Sequence, residues 1–301
     1  MSFYLGIDGG GTKTRCALGD EHKVLAISVA GGSNITRTGA TQAREVLQKG
    51  VREVCAAANI SPDKIAAICM GASGGGRPEA AISIRQSLAE LTPAPVEIVG
   101  DMVIALEAAF GSGTGAIVIA GTGSVAYGRD AQGNTTRAGG WGFAVSDEGS
   151  GHWIGRRAVT AVLRAQDEGQ QSTLPAGIYE AWNLKTVDDL VIAANAIPAR
   201  DFSRLFPVVL NAAGNGDALA RGLLGEAGNE LSRLASLVIR HLPHPPYAPV
   251  AMTGSVFRRS EEVRRVFHEE LESHFPGIEI RQEIVDPVEG ALSLARKARR
   301  A

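Results

Sequence analysis

A chain of 301 residues with 45% apolar side chains can build two domains with separate cores, and a net charge of -2 excludes the strongly basic footprint of a protein that binds nucleic acid or an acidic membrane. No apolar run reaches the length of a membrane span, and no charged region followed by a long apolar one marks a signal peptide. Cys16, Cys55 and Cys69 form no C-x-x-C pair and sit among apolar residues, so they are expected as reduced core thiols of a cytoplasmic protein; the six histidines show no metal-ligand spacing.

The run from Phe3 to Ile7 is apolar and rich in strand formers, and it predicts a buried strand; Arg15 to Leu18 predicts the strand that returns. Between them stands Asp8-Gly9-Gly10-Gly11-Thr12-Lys13-Thr14. The glycines let a bulky anion approach the main chain, Thr12 and Thr14 add hydroxyl donors, and Lys13 adds a cation. Asp8 aims a carboxylate at the same space, which suits the Mg2+ of a nucleotide phosphate tail, directly or through its waters. A Walker loop is excluded because Thr12 stands where its lysine belongs, and a dinucleotide fingerprint because Thr14 replaces its last glycine. Both also require a helix after the loop. An ordinary glycine hairpin is the competing reading of this stretch taken alone.

Val24 to Ala30 predicts a third strand, followed by the loop Gly31-Gly32-Ser33-Asn34. Residues 42–59 place Ala43, Val46, Leu47, Val51, Val54 and Cys55 on one helical face. A strand over 65–70 runs into the glycine-rich turn 71–76, which holds Ser73. A helix over about 79–91, a strand over 96–99, Gly100-Asp101 and an apolar helix over 102–110 complete a βββαβαβα lobe spanning 1–113. Beyond the glycine-rich boundary, Ala116 to Ala120, Gly121-Thr122-Gly123-Ser124 and Val125 to Gly128 repeat the opening strand, turn and strand. Two such hairpins at the heads of similar lobes argue for a duplicated architecture. The turn from Arg137 to Gly142 leads to Asp147-Glu148, which is expected to open a helix through Trp153, Ile154, Ala158 and Val162. Nothing recognisable marks 166–207. The longest helical pattern covers 217–242, a strand over 250–253 enters Gly254-Ser255-Val256, and a helix over 261–275 precedes a strand over 278–284. Asp286 caps and Pro287 starts a final helix. The expected division is therefore 1–113 and 114–286, with the helix over 287–301 packing back on the first lobe.

The order of Asp8-Gly9-Gly10-Gly11-Thr12, Gly100-Asp101, Gly121-Thr122-Gly123-Ser124 and Gly254-Ser255-Val256 resembles the actin-like ATPase superfamily, which includes sugar kinases, heat-shock chaperone ATPases and actin. Gly139-Gly140-Trp141-Gly142 and Asp147-Glu148-Gly149-Ser150 look like sugar-site motifs of its N-acetylglucosamine kinase branch, within the group of BadF/BadG/BcrA/BcrD ATPases. The resemblance implies an α/β fold of two ribonuclease-H-like lobes, each a mixed sheet with flanking helices, around a cleft. It implies ATP and Mg2+ as cofactors, an amino sugar as substrate, and a homodimer. Asp8, Gly10, Gly11, Thr12, Lys13, Thr122 and Gly123 would hold the phosphates and their metal, with Gly254 and Ser255 near the adenosine. Asn34, Ser73, Ser124, Gly140, Trp141, Gly142 and Asp147 would meet the sugar. Asp101 would take the proton of the sugar hydroxyl. Several carry a plainer alternative: Asp101 as helix cap, Asn34 as turn residue, Trp141 as core filler, Asp147 as the N-cap of the next helix. The chain also departs from the branch, with Asn34-Ile35-Thr36 where a member has Asn-His-Trp, so an aromatic wall of the sugar site is missing.

An amino-sugar kinase acting at the 6-hydroxyl is the expected function. The competing one is an activator ATPase of the benzoyl-CoA reductase or 2-hydroxyacyl-CoA dehydratase kind, whose iron–sulfur cluster needs cysteines at helix-start loops; here they fall in predicted core strands and a helix. A sugar-sensing repressor would need a DNA-binding head ahead of the first strand.

Overall fold

Strand β1 (Phe3–Gly9) carries the opening apolar run, and β2 (Lys13–Gly19) returns antiparallel to it, with Asp8 opposite Arg15 and Gly9 opposite Thr14. These belong to a computed structural model that describes residues 2–72, 78–198, 200–243 and 247–298, the side chains of residues 36 and 37 excepted. Next come β3 (Val24–Gly31), the short α1 (Ile35–Thr38), α2 (Ala40–Ala58), β4 (Ile65–Ala72), α3 (Pro78–Ala89), β5 (Val96–Gly100) and α4 (Asp101–Phe110). The sheet order is β3-β2-β1-β4-β5, with β4 parallel to both β1 and β5. A parallel strand covered on both faces must be apolar along its whole length, and Ile-Ala-Ala-Ile-Cys-Met-Gly-Ala of β4 is that run.

The second half begins with β6 (Gly115–Ala120), β7 (Ser124–Arg129) and β8 (Thr135–Gly139), then α5 (Gly151–Asp167), α6 (Leu174–Trp182), α7 (Val187–Ala194), α8 (Phe206–Gly214) and α9 (Ala218–Arg240). It ends with β9 (Val250–Thr253), α10 (Ser255–Arg259), α11 (Glu261–His274) and β10 (Ile280–Ile284). The order here is β10-β9-β6-β7-β8. Counting strands from the start of each half, both sheets run 3-2-1-4-5 with the same parallel and antiparallel partners. The last helix, α12 (Pro287–Lys297), follows β10. The chain divides into two compact units, Met1–Gly113 with Val285–Ala301, and Thr114–Ile284.

In the first unit, Leu5, Ile7, Cys16, Leu18, Ile68 and Met70 form one core layer with Leu47, Val51 and Val54 of α2 and Ile84 and Leu88 of α3. Side chains alternate along a strand. The other face accordingly buries Tyr4, Ala17, Ala67 and Cys69 against Ile104 of α4 and Val288, Ala291, Leu292 and Ala295 of α12. Backbone seats α12 on this face: a Cβ at Gly6 would stand 2.3 Å from Leu292 N, and one at Gly290 would stand 1.9 Å from Ile104 O. The same alternation puts Asp8 on the α12 side, two residues beyond Gly6. Deeper in this layer Glu107 of α4 is buried and accepts from Ser293 Oγ at 2.7 Å and Lys297 Nζ at 2.6 Å of α12.

Three details differ from the sequence reading. Thr135–Gly139 is a strand that the polar Thr-Thr-Arg run concealed, because it pairs only with β7 at a sheet edge. The featureless stretch 166–207 contains α6 and α7, and α7 has a full capping box between Thr186 and Asp189. Helix α5 starts at Gly151 and is capped by Ser150, whose Oγ accepts from Trp153 N at 3.1 Å; Asp147-Glu148 lies ahead of it in a turn. Among the described residues no helix is long and apolar enough to cross a membrane.

Candidate functional site

In the first unit the turn between β1 and β2 is closed by Gly10 N donating to Lys13 O at 3.0 Å. Gly10's amide is therefore used inside the turn, which corrects the expectation that Gly10 holds a phosphate through its N–H. A second loop is tied to the turn: Ser33 N donates to Gly10 O at 3.1 Å, and Thr14 Oγ1 donates to the buried Ser33 Oγ at 2.7 Å. These bonds place Asn34, the N-cap position of α1, beside Gly10, Gly11 and Thr12. Thr14 is thus a structural hydroxyl, and Ser33 is a tie that sequence reading passed over. The signal was a hydroxyl pair, which gains meaning only once β3 is known to pair with β2.

Asp101 is the first residue of α4 and not its cap; Gly100 holds the cap position, and Asp101 Oδ1 accepts from Met102 N at 2.9 Å. Asp8, at the end of β1, is pulled both ways. Burial first, then the carboxylates of Asp101 and Asp286, push its carboxyl up to about 7 against the opposing pull of Lys13 and Arg15. Acids so crowded call for a cation. Among the described residues no group of three or more His, Cys, Asp or Glu side chains is placed to hold a metal ion, so a metal here would have to arrive with other ligands, as it does on a nucleotide's phosphates. Ser73 lies outside the described residues.

In the second unit the turn between β6 and β7 is narrower, with Gly121 N donating to Gly123 O at 2.9 Å. The first amides of α5 secure it: Gly151 N donates to Gly121 O at 2.8 Å and His152 N to Thr122 O at 3.3 Å. Asp147 is nearly buried and left-handed, with φ 68°, a conformation that costs a non-glycine residue energy and that the surrounding turn must enforce. Its Oδ2 lies 2.8 Å from where a Cβ on Gly123 would stand. The cap reading of Asp147 is thereby overturned, and its carboxylate sits against the glycine turn. Ser124 Oγ donates to Glu148 O at 2.7 Å, which fixes the segment carrying Asp147 to the start of β7.

Gly254 follows β9 with φ 105°, and a Cβ there would stand 2.2 Å from Ala120 O, so only glycine brings Ser255 so near the turn that follows β6. Trp141 is 69% exposed and carries the Arg137 guanidinium 4.1 Å over its ring, so it is no core filler. Gly140 and Gly142, both left-handed, shape the loop that presents it. Each unit therefore gathers its own set. Asp8, Gly10, Gly11, Thr12, Lys13, Asn34 and Asp101 cluster at the ends of β1 and β5; Thr122, Gly123, Ser124, Asp147, Gly254 and Ser255 cluster at the ends of β6 and β9.

The three thiols are free and buried, Cys16 and Cys55 in one core layer and Cys69 in the other. Burial pushes Cys16 and Cys69 up to about 12 and Cys55 up to about 11, so all three stay protonated and none is presented as a cluster ligand.

Residues 5–295 match the BadF/BadG/BcrA/BcrD ATPase family. The N-acetylmuramic acid/N-acetylglucosamine kinase of Clostridium acetobutylicum is 32% identical, over 98% of this chain and 99% of its own length. The N-acetyl-D-glucosamine kinase of Dictyostelium discoideum is 29% identical, over 99% and 98%. A solved structure from Chromobacterium violaceum, provisionally assigned as an N-acetylglucosamine kinase, superposes with a TM-score of 0.76 at 26% identity, over 98% of this chain and 99% of that one.

Proposed function

Since the chain belongs to the BadF/BadG/BcrA/BcrD ATPase family, we propose that it is an ATP-dependent amino-sugar kinase that moves the γ-phosphoryl group of ATP to the 6-hydroxyl of N-acetylglucosamine or glucosamine. Full-length relatives with amino-sugar kinase names support the reaction class. The observation that carries the assignment of roles is Asp101, an acid at the start of a helix that shares its side of the sheet with Asp8 and the glycine turn.

Phosphoryl transfer asks a protein for placement and charge, and for a carboxylate that accepts the hydroxyl proton. Asp101 accepts the proton of the 6-hydroxyl, and the bond from Met102 N holds its carboxylate at the mouth of α4. Gly11, Thr12 and Lys13 offer donors for phosphate oxygens, and so, within their own unit, do Thr122 and Gly123. Gly254 and Ser255 border the adenosine. Asp8 would face the Mg2+ that travels with ATP; when bound, that ion would spread the charge that develops on the transferring phosphoryl group. Asn34, Asp147, Ser124 and the loop Gly140-Trp141-Gly142 receive the sugar, Trp141 offering its ring as an apolar plate. The activator reading lacks support, because no cysteine of this chain is placed for a cluster.

The test is ADP release measured across glucosamine, N-acetylglucosamine, N-acetylmannosamine and N-acetylmuramic acid, with wild type and Asp101→Asn. Sugar-dependent release should vanish in the variant while nucleotide binding persists. Near wild-type turnover by Asp101→Asn would reduce Asp101 to a helix-start charge.

A further inference from the structure

We propose that Asp286 is a positioning residue for the phosphate turn: through its ion pair with Arg15 it fixes the guanidinium beside Asp8, and so fixes the carboxylate that faces the nucleotide's metal ion. This rests on the reading of Asp8 given above. Neither Arg15 nor Asp286 belongs to a glycine motif; the sequence marks Arg15 only as the start of a strand and Asp286 only as a helix cap, a bond its side chain does not make.

The geometry runs through four contacts. Gly6 and Gly290 let α12 sit directly on β1 and α4, so the start of α12 is set by backbone packing. Asp286 occupies the N-cap position of α12 yet makes no capping hydrogen bond. An aspartate there ordinarily accepts from an amide of the first turn. Instead, Asp286 Oδ2 lies 2.9 Å from Arg15 Nη2, both side chains being about four-fifths buried. Arg15 in turn stands directly opposite Asp8 across the β1–β2 ladder, so the two side chains leave the same face of the sheet about 5 Å apart at Cβ. Asp286 also bears on Asp8 electrostatically, as Arg15 does with the opposite sign.

The pair is held at one point only. Arg15 Nε and Asp286 Oδ1 are buried and hydrogen-bond to nothing among the described residues, so this is not the two-pronged fork that Arg and Asp form when the contact serves itself. Repetition of the fold gives a further reason. Asp101 follows the fifth strand of the first sheet and opens α4; Asp286 follows the fifth strand of the second and holds the N-cap position of α12, which lies against α4. The two halves thus deliver equivalent acids to one place, and the second is set to steer through Arg15.

Asp286→Asn keeps the size and a residue able to cap a helix, and removes the charge. Calorimetry with the Mg2+ complex of a non-hydrolysable ATP analogue should show binding weakened roughly tenfold, the usual scale for a residue that orients a metal-facing group. Sugar affinity should stay at its wild-type value, and KM for Mg·ATP should rise with KM for sugar unchanged. Arg15→Gln should give the same loss, and the double variant no more than either single, because both act through one contact. The Arg15 variant also tests the link from its other end, whatever the fate of the first. Wild-type nucleotide affinity in both variants, or a loss seen only as a lower melting temperature, would overturn the proposal. Asp8→Asn measured alongside separates the two levels: if it weakens nucleotide while Asp286→Asn and Arg15→Gln do not, the role of Asp286 fails alone; if none weakens it, the reading of Asp8 fails as well.

Discussion

Gly290→Ala puts a methyl group where the structure has none to spare. The new Cβ would stand 1.9 Å from Ile104 O, 2.6 Å from Ala108 N and 3.0 Å from Ala108 Cβ. The first contact is about 1.5 Å short of ordinary van der Waals separation, and both nearest atoms are backbone, so no side chain can turn away. Relief must come from α12 lifting off α4. Overpacking of this kind costs about 3 kcal/mol, while exchanging glycine for alanine inside a helix returns about 1 kcal/mol. The net is a destabilisation of about 2 kcal/mol, or a melting temperature lower by roughly 6 °C for a unit of this size. Because α4 carries Asp101 at its first position, turnover should fall along with stability. The control is Gly222→Ala in α9, where the added Cβ meets nothing within 4 Å. There the helix-propensity gain is unopposed, and stability should rise by up to about 1 kcal/mol. Thermal melts by circular dichroism and guanidinium titrations decide the matter. If Gly290→Ala melts at or above wild type, the seating of α12 through Gly290 is wrong.

Replacing Thr12 or Thr122 by Val should weaken ATP far more than sugar in binding measurements; equal weakening of both would contradict their placement on the phosphates. Gly123→Ala should displace the Asp147 carboxylate, whose Oδ2 lies 2.8 Å from the new Cβ, and raise KM for the sugar at least roughly tenfold. An unchanged KM for sugar would remove Asp147 from the sugar site. Partial burial opposes ionisation of Asp217, but bonds from the Ala220 and Thr173 amides and the Ser172 and Thr173 hydroxyls hold its carboxyl at about 2. A folded-state value below the ordinary one stabilises above about pH 4 and is lost as pH falls toward 2. The stability gap between wild type and Asp217→Asn, about 1 kcal/mol at pH 7 once solvent screening is allowed for, should therefore close over that interval, as denaturant titrations at stepped pH would record.

Local chemistry made much of this molecule readable. β1 and β4 announce themselves as apolar runs because they are covered on both faces, and α9 as a long apolar stripe capped by Asp217. The glycine turns were visible because hydroxyls flank them. Three things were hidden, each for a physical reason. β8 is an edge strand whose Thr-Thr-Arg composition reads as loop until β7 supplies its partner. The start of α5 was misplaced because Asp147-Glu148 looks like an acidic first turn, whereas Asp147 is left-handed and Ser150 does the capping. The partnership of Arg15 with Asp286 joins residues from opposite ends of the chain, and no periodicity or motif encodes a contact created by α12 folding back on β1.

Duplication explains why the acids are shared unequally. Each half follows the same plan, a glycine turn after its first strand and a helix after its fifth. The fifth-strand helix of the first half stays with its own sheet as α4, while that of the second half, α12, packs on the first unit beside it. Asp8, Asp101 and Asp286 consequently belong to one unit, where burial first and then the carboxylates of Asp101 and Asp286 push the Asp8 carboxyl up to about 7. The second unit keeps its turn without a fifth-strand acid of its own, and Asp147 reaches that turn from a loop held in a strained conformation. A concentration of negative charge in one half is costly to an empty protein and useful to one that receives a metal–nucleotide complex. The asymmetry leaves the three acids in the first unit, while the second holds a glycine turn with the single carboxylate of Asp147 against it.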